Sequence, residues 1–264
     1  MIAYLGGLGL CGPGLPSWRA SLAVFRGETC YQYGPLPTLR TNQLPANERR
    51  RVTQTIRLAL QVAQEAVDDA GLPADSACSV FATSGGDNDL IHSIFTALCR
   101  PDRPVSPTQF HNSVHNAPAG YWGIASGSRM PSTSLSAYDW TFSAGLLEAA
   151  TITTVEQAPV ILAAYDGAPP FPLSEARAVD VPFAAAVLLT PTRMPGTLAQ
   201  LKLTLTAGAR EDRMSDPTLE RLRNSNPAAR CLPLFMAIAG RDRHDVILPY
   251  LSENGLTVEV TPCE

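Results

Sequence analysis

The chain has 264 residues, of which 45% are hydrophobic, and it carries a net charge of −4. This length allows one large or two modest domains with a buried core, and the acidic balance provides no basic face for nucleic acid. No apolar run in the sequence approaches the ~20 residues that a membrane-spanning helix needs. The six cysteines form no CxxC pair, which argues against zinc-ribbon and thioredoxin-type sites. We therefore expect a cytoplasmic protein with reduced thiols.

The first part of the chain predicts a strand followed by two helices. Residues 1–10 are apolar, lack a charged n-region and end at a Gly/Pro turn, so we interpret them as a core strand rather than a signal peptide. Residues 17–25 predict a short helix, and Gly71 marks the end of a long helix over residues 47–70. The apolar stripe of that long helix comprises Val52, Ile56, Ala59, Ala63 and Val67.

Strands and helices continue to alternate in the rest of the chain, which predicts a layered α/β fold without internal duplication. Lys202, the only lysine, is expected to face solvent in an alternating strand. Before residue 182, the predicted strands are 78–83, 133–138 and 159–165, and the helices are 87–99, 106–127 and 140–156. After it, the pattern predicts consecutive antiparallel strands over 183–190 and 198–206, helices over 217–224 and 228–239, and a closing strand over 256–261.

The opening strand contains the literal dinucleotide pattern Gly7-x-Gly9-x-x-Gly12. Pro13 follows the last glycine at once, and no helix or ribose-binding acid completes a βαβ unit. We therefore expect no bound cofactor.

Two polar clusters invite interpretation as metal sites. His111 and His115 would share one face of a helix, but the sequence HNSVH lacks the Glu of HExxH and no third ligand is evident. We favour an interface role for this pair over zinc. Asp87 and Asp89 follow a glycine turn, where short polar residues commonly cap a helix. We therefore predict helix capping there, and no metal site in the chain.

The most specific pattern is the stretch SPTQFHNSVHNAPAGYWGIASGSRMPSTSLSAYD, which runs from Ser106 to Asp139. It resembles the nucleophile-bearing region of the β-ketoacyl synthases of fatty-acid and polyketide assembly. The residues that match that region without a gap are Ser106, Pro107, Asn116, Ala119, Gly120, Ile124, Gly127, Pro131, Ser132, Ser134, Leu135 and Ser136.

The resemblance places Asp139 where the family has its catalytic cysteine. A thiolate holds an acyl chain as a thioester, whereas a carboxylate could form only a labile mixed anhydride. The resemblance therefore implies a catalytically inactive homologue. From the residues alone, Asp139 is either the N-cap of the helix over 140–156 or a catalytic carboxylate, and we favour the cap.

The resemblance extends through most of the first 190 residues, including the turn Ser84-Gly85-Gly86, and implies a thiolase-like layered fold. The family's second half carries two catalytic histidines and a lysine. After Asp139 this chain offers only His244 and Lys202. We predict a single domain over 1–264, with a family-like half over 1–190 and an incomplete, divergent C-terminal part over 191–264.

The resemblance also implies where a partner subunit binds. In the family, the segment after the Ser-Pro turn packs at the dimer interface, and in its chain-length-factor branch the helix corresponding to 87–99 lines the acyl tunnel. Phe95 is then a candidate gate, with ordinary core as the alternative. The expected interface and tunnel residues are His92, Phe95, Thr108, Gln109, Phe110, His111, His115, Asn116 and Tyr138. The apolar residues that we expect a partner to cover in part are Phe110, Val114, Tyr121, Trp122 and Ile124.

These inferences predict a non-catalytic, chain-length-factor-like subunit, similar to those of aryl polyene and xanthomonadin-like pathways. It would form a heterodimer with a catalytic ketoacyl synthase, shape the acyl tunnel, and meet acyl and malonyl chains on an acyl carrier protein. One alternative is an acyl-carrier decarboxylase or hydrolase that uses Asp139 with His111 or His115. Another is a purely structural subunit that stabilises its partner.

Overall fold

A computed structural model describes residues 1–263 and contains one eight-stranded sheet with the order β3-β2-β4-β5-β1-β6-β8-β7. β2 is parallel to both β3 and β4, and all other neighbouring strands are antiparallel. The strands are β1 (Ile2–Cys11), β2 (Cys78–Ala82), β3 (Ser132–Leu135), β4 (Val160–Asp166), β5 (Phe183–Thr190), β6 (Ala199–Ala207), β7 (His244–Tyr250) and β8 (Asn254–Pro262).

Helices cover both faces of this sheet, as the predicted layered α/β fold requires. They are α1 (Trp18–Phe25), α2 (Ala46–Arg49), α3 (Gln54–Ala70), α4 (Asn88–Leu98), α5 (Pro107–Asn112), α6 (Ala117–Ser126), α7 (Thr141–Glu156), α8 (Leu173–Ala176), α9 (Pro217–Ser225) and α10 (Leu232–Gly240). Two 3-10 helices span Tyr138–Trp140 and Pro227–Cys231. Within residues 1–263, no helix has the length and apolar character needed to cross a bilayer.

The sheet separates two hydrophobic cores. α3 and α6 pack on one face, and α1, α7, α9 and α10 pack on the other. β4 and β5 are buried along their whole lengths, because they lie in the middle of the sheet between the two helical layers. This arrangement makes the central strands a rigid support for the loops at their ends.

The glycines of the opening strand are explained by packing. A Cβ atom on Gly7 would lie 2.2 Å from the Ala66 carbonyl oxygen, and one on Gly9 would lie 2.1 Å from the Val62 carbonyl oxygen. Both distances are far below van der Waals contact, so only glycine lets the backbone of α3 approach β1 this closely. The dinucleotide-like spacing is thus a packing pattern between a strand and a helix.

Carboxylates on α3 complete the hydrogen bonding of β1. Glu65 Oε2 accepts from Leu10 N at 2.9 Å, its Oε1 accepts from Trp18 N at 2.7 Å, and Asp69 Oδ2 accepts from Leu8 N at 3.1 Å. Burial raises the pKa of Glu65 to about 7, although the hydrogen bonds from Leu10 and Trp18 oppose the shift. The buried carboxyl group of Glu65 therefore serves as a structural hydrogen-bond acceptor.

Two predicted helices are each divided in the structure. The helix over 47–70 breaks between α2 and α3, and Thr53 starts α3 by accepting from Ile56 N through its side chain. The helix within 106–127 breaks between α5 and α6, so His115 lies in a turn and does not share a helical face with His111. The prediction that the two histidines share a helical face is wrong, because α5 ends at Asn112.

The C-terminal part differs from the prediction in two ways. β5 and β6 both pair antiparallel with β1, so they run in the same direction instead of antiparallel to each other. The pattern also failed to predict β7, a short edge strand that contains Pro249 and has little apolar alternation. Lys202 is exposed, as predicted, and its ammonium group lies 2.6 Å from Glu259.

Candidate functional site

The candidate site lies at the carboxyl ends of the three parallel strands. β2 leads into Ser84, β3 leads into the 3-10 helix that contains Asp139, and β4 ends at Asp166. Parallel strands present their carboxyl ends at one edge of the sheet, so these three polar residues belong to the same region of the molecule. The position that the sequence matched to a catalytic cysteine is therefore at this edge.

The chain makes a strained turn immediately before Asp139. Tyr138 has a φ of 54°, a left-handed conformation that costs a non-glycine residue about 1–2 kcal/mol. Thr141 stabilises the turn, since its hydroxyl accepts from Ala137 N at 3.2 Å and donates to the Tyr138 carbonyl at 2.6 Å. We call residues 137–141 the elbow.

Asp139 does not cap the following helix, and that prediction is wrong. α7 starts at Thr141 after a 3-10 turn, and its N-terminus has no side-chain cap. Instead, Asp139 Oδ1 lies 2.7 Å from Arg177 Nη2. The physical reason is that the fold brings the Arg177 cation next to this carboxylate, and opposite charges at this distance attract.

Arg177 closes the elbow from a distant part of the chain. It follows α8, in the segment that connects β4 to β5, and its guanidinium carbon lies 3.9 Å from the centre of the Tyr138 ring. A cation over an aromatic face is attracted by the ring, which adds to the ion pair with Asp139. No pattern around residue 177 indicated this role, because the contact exists only after folding.

A second set of charges lies beside the elbow. Arg223 is only 1% exposed, and it contacts Glu211 at 3.0 Å and Glu220 at 2.8 Å. Arg230 lies 3.5 Å from Glu211. Burial and the Arg223 cation lower the pKa of Arg230, and the carboxylates of Glu211 and Asp139 oppose that shift. Arginines and carboxylates are therefore paired with one another in the region around Asp139.

The elbow borders a cleft of about 290 Å³. A cysteine or histidine is absent from its described lining, so it presents neither a thiol nor an imidazole base to an acyl group. Each of its charged residues already has an ion-pair partner: Arg230 lies near Glu211 within the lining, and Asp139 pairs with Arg177 outside it. The lining residues are Asp139, Trp140, Ala209, Glu211, Arg230, Pro249, Leu251, Ser252 and Asn254.

The predicted interface residues lie mostly on an exposed surface of α4 and α5, two helices that contact each other. Phe110 is 68% exposed and Phe95 is 54% exposed, so the alternative that Phe95 is ordinary core is wrong. Leu98 and Val114 are also exposed large hydrophobic residues. We call Phe95, Leu98, Phe110 and Val114 the helical apolar surface.

The polar interface candidates surround this surface in different environments. His92 and Gln109 are half-buried, while Tyr138 is exposed at the elbow. Part of the apolar set expected to face a partner is exposed, as predicted, since Phe110, Val114 and Ile124 are accessible. Tyr121 and Trp122, on the inner side of α6, are buried. The exposed polar candidates are Thr108, His111, His115 and Asn116.

Asn112 anchors α5, although the sequence did not single it out. Its amide donates to the Arg51 carbonyl at 2.9 Å and its Oδ1 accepts from the Tyr121 hydroxyl at 3.0 Å. This buried side chain explains why the α5–α6 turn takes a defined position. Tyr121 is held by that contact and so is not available to a partner.

His115 and Asp139 line different cavities. His115 borders a small cavity of about 80 Å³ beneath α4, together with Ile91, Gly85 and Tyr165, whereas Asp139 lies in the charged cleft. Within residues 1–263, no group of three or more His, Cys, Asp or Glu side chains is placed to hold a metal ion. The structure therefore does not join the residues of the decarboxylase or hydrolase hypothesis into one site.

Comparisons with known proteins agree with the predicted fold. The family described as "Beta-ketoacyl synthase, N-terminal domain" matches residues 27–240. No match to a curated protein was found.

Three solved structures are similar over nearly the whole chain. One is the ketosynthase ApeO in complex with its chain length factor ApeC from Xenorhabdus doucetiae, at 20% identity and a TM-score of 0.74, covering 98% of this chain and 99% of that chain. The second is AntDE:AntF, a type II PKS acyl-carrier protein in complex with its ketosynthase, at 11% identity and a TM-score of 0.77, with 99% of each chain covered. The third, the ishigamide ketosynthase/chain length factor, has 11% identity, a TM-score of 0.73 and full coverage of both chains. At these identities the likeness shows the fold, which is the predicted thiolase-like fold of ketosynthases.

Proposed function

The chain belongs to the beta-ketoacyl synthase N-terminal domain family, and on that premise we propose that it is a non-catalytic, chain-length-factor-like partner of a catalytic ketoacyl synthase. It would form a heterodimer and shape the tunnel that holds the growing acyl chain. The observation that carries the proposal is Asp139, a carboxylate that the sequence resemblance matches to the nucleophile position and that is paired with Arg177. A family scaffold with this replacement lacks the thiol that a condensing enzyme needs.

The helical apolar surface supports a partner. Phe95, Leu98 and Phe110 expose large side chains on two adjacent helices, and Val114 does so in the turn after α5. Such a patch on a monomer commonly marks an interaction site. The partner that fits is a ketoacyl synthase, because structures similar to this chain include ketosynthase–chain length factor complexes. The isolated chain should accordingly self-associate.

The proposed control of product chain length depends on two side chains of α4. Phe95 and His92 lie three positions apart on this helix, so they project from the same face. A ring at the end of an acyl tunnel limits further methylenes, since overpacking costs roughly 1–3 kcal/mol. That range includes the roughly 1.4 kcal/mol that corresponds to a tenfold change in rate. The acyl chains would arrive on an acyl carrier protein that binds mainly to the partner.

The test is reconstitution with the ketoacyl synthase encoded nearest to this gene. We expect one heterodimer by gel filtration, and we expect Phe95→Ala to lengthen or broaden the carrier-bound products seen by mass spectrometry. Val155→Ala is the matched control, because Val155 is an exposed apolar residue on α7 rather than on α4. No heterodimer, or turnover by the isolated chain, would contradict the proposal.

The purely structural alternative makes a different prediction in the same assay. A subunit that only stabilises its partner would raise the yield of active synthase, yet Phe95→Ala and His92→Ala would leave the product distribution unchanged. Gln109 and Phe110 on α5 would then be the next residues to test for a gate. A stable acyl adduct on Asp139 would instead favour the enzyme alternative.

A further inference from the structure

Asp166 is a buried carboxylate that the elbow chemistry does not use. It ends β4, it is 1% exposed, and its Oδ1 atom accepts three hydrogen bonds. The donors are Ser84 N at 2.8 Å, Ser84 Oγ at 2.9 Å and Thr83 Oγ1 at 2.9 Å. One buried oxygen thus holds the first two residues after β2.

The hydrogen bonds continue from Thr83 to the start of α4. The Thr83 hydroxyl that donates to Asp166 also accepts from Gly86 N at 3.1 Å. Gly86 has a φ of +69°, which turns the chain into α4, and Asp87 then caps the helix by accepting from Leu90 N at 3.1 Å. An unbroken series of contacts therefore links Asp166 to the first turn of the helix that carries Phe95.

Asp166 is itself fixed by the rest of the fold. Its backbone carbonyl accepts from Asn226 Nδ2 at 3.1 Å, and the same amide donates to the Val181 carbonyl at 2.8 Å. Its neighbour Tyr165 forms part of the wall of the cavity beneath α4. The end of β4 is therefore a rigid point, while the Ser84–Gly86 turn has two glycines and would otherwise be free to vary.

We infer that Asp166 is the positioning residue for α4, and that through Thr83 and Gly86 it sets where the Phe95 ring stands in the acyl tunnel. The inference rests on the proposed function for its effect on product length. Asp166 touches neither substrate nor partner in this account, and it acts only by holding the turn. A loss of the Thr83 hydroxyl should consequently let α4 shift, with the partner's products changing as a result.

Thr83 offers the cleanest test, because one substitution replaces its hydroxyl by a methyl group and another removes its methyl group while the hydroxyl stays. Thr83→Val keeps the shape and removes the hydroxyl, whereas Thr83→Ser keeps the hydroxyl. We expect Thr83→Val to change the ratio of off-length to normal products by at least about twofold, and Thr83→Ser to restore the parent distribution. Asp166→Ala and Asp166→Asn form a second pair, since the Asn carbonyl can still accept from Ser84.

Ser79→Ala is the control for a lost buried hydroxyl on the same strand. Ser79 Oγ donates to Ser132 Oγ at 2.8 Å at the other end of β2, away from the turn. This variant should leave the products unchanged. A role in stability alone would make Thr83→Val and Ser79→Ala alike, each losing stability without any change in products.

Hydrogen exchange of the isolated chain tests the positioning without a partner. Amides 86–91 should exchange faster in Thr83→Val than in Thr83→Ser, because the first turn of α4 would be released. Equal exchange in the two variants, or unchanged products from Thr83→Val and Asp166→Ala, would overturn the inference. If that happens while Phe95→Ala still changes the products, the positioning role of Asp166 is wrong but the proposed function stands. If Phe95→Ala also leaves the products unchanged, the proposal that α4 carries the gate is contradicted as well.

Discussion

The elbow and the helical apolar surface differ in whether their side chains have partners within the chain. At the elbow, Asp139 meets Arg177, and the neighbouring Arg223 meets two carboxylates within the same chain. On the helical apolar surface, Phe95 and Phe110 expose more than half of their side-chain area. The charged groups of the elbow find their partners within one chain, whereas the helical apolar surface is buried only when another molecule covers it.

This difference indicates that the helical apolar surface, rather than the elbow, has the features of a functional region. A reactive site needs an unpaired nucleophile and a base near it, whereas the charged side chains at and beside the elbow are held in ion pairs. A contact surface needs exposed apolar side chains on a rigid support, and α4 and α5 provide them with Phe95 and Phe110. The comparison therefore predicts that substitutions at the elbow change the stability of this chain, while substitutions on the helical apolar surface change its binding.

Arg223→Met should give the largest effect on stability. The change leaves Glu211 and Glu220 without their buried cation, and breaking such a pair costs about 3 kcal/mol in the free energy of unfolding. Chemical denaturation measures it. Arg243→Met is the control, because Arg243 is exposed and only 4.0 Å from Glu259, so it should stay within about 0.5 kcal/mol. Equal effects of the two variants would contradict the prediction.

The pH dependence of stability should report Asp166. Burial raises its pKa from 3.8 to about 6, so between these values the folded state keeps a proton that the unfolded state has lost. The free energy of unfolding should therefore fall as pH rises through that window and become level above it, by on the order of 2–3 kcal/mol in total.

Asp166→Asn should remove this part of the pH profile. Glu65, whose pKa burial raises to about 7, contributes a fall in the same direction and remains in that variant. The comparison is therefore the difference between the two unfolding curves from pH 4 to pH 6. Parallel curves would show that Asp166 does not titrate in this window.

Phe110→Ser should weaken binding to the partner without loss of folding stability. Truncation of a large aromatic residue at the centre of an interface typically costs about 2 kcal/mol, which is roughly a thirtyfold rise in Kd. Calorimetric titration of the partner measures Kd, and thermal denaturation of the isolated chain checks the fold. Tyr33→Ser is the control, since Tyr33 is exposed but lies far along the chain from α5. Similar Kd values for the two variants would place the interface elsewhere.

Asp139→Asn should have the smallest effect, about 1 kcal/mol or less in stability, because Asp139 is 43% exposed and solvent screens its pair with Arg177. The heterodimer should keep its activity. A double-mutant cycle with Arg177→Met isolates the pair. Asp139→Cys should not create a condensing enzyme, because no histidine lines the described part of the cleft, and an acyl adduct with turnover on that cysteine would contradict this.

The sequence by itself determined the local elements and the identity of the elbow. Periodicity placed α1, β2 and α4 to within two residues, and Gly71 ends α3 in a left-handed conformation as predicted. These features depend on side chains that are close in sequence, so local patterns carry the information. The matched spacing from Ser106 also placed Asp139 at the turn between β3 and α7, where the structure has the elbow.

Only the tertiary structure decided what the polar groups do. Asp139 and Arg177 are far apart in sequence, and so are Asp166 and Thr83, which means that no local pattern could pair them. The position of β6 beside β1 likewise depends on which strands are adjacent after folding. Capping is the default use of an Asp before a helix, but at the elbow the fold brings in a guanidinium that pairs with Asp139 instead. The burial of Tyr121 and Trp122 likewise required the tertiary structure, because it depends on which side of α6 packs against α3.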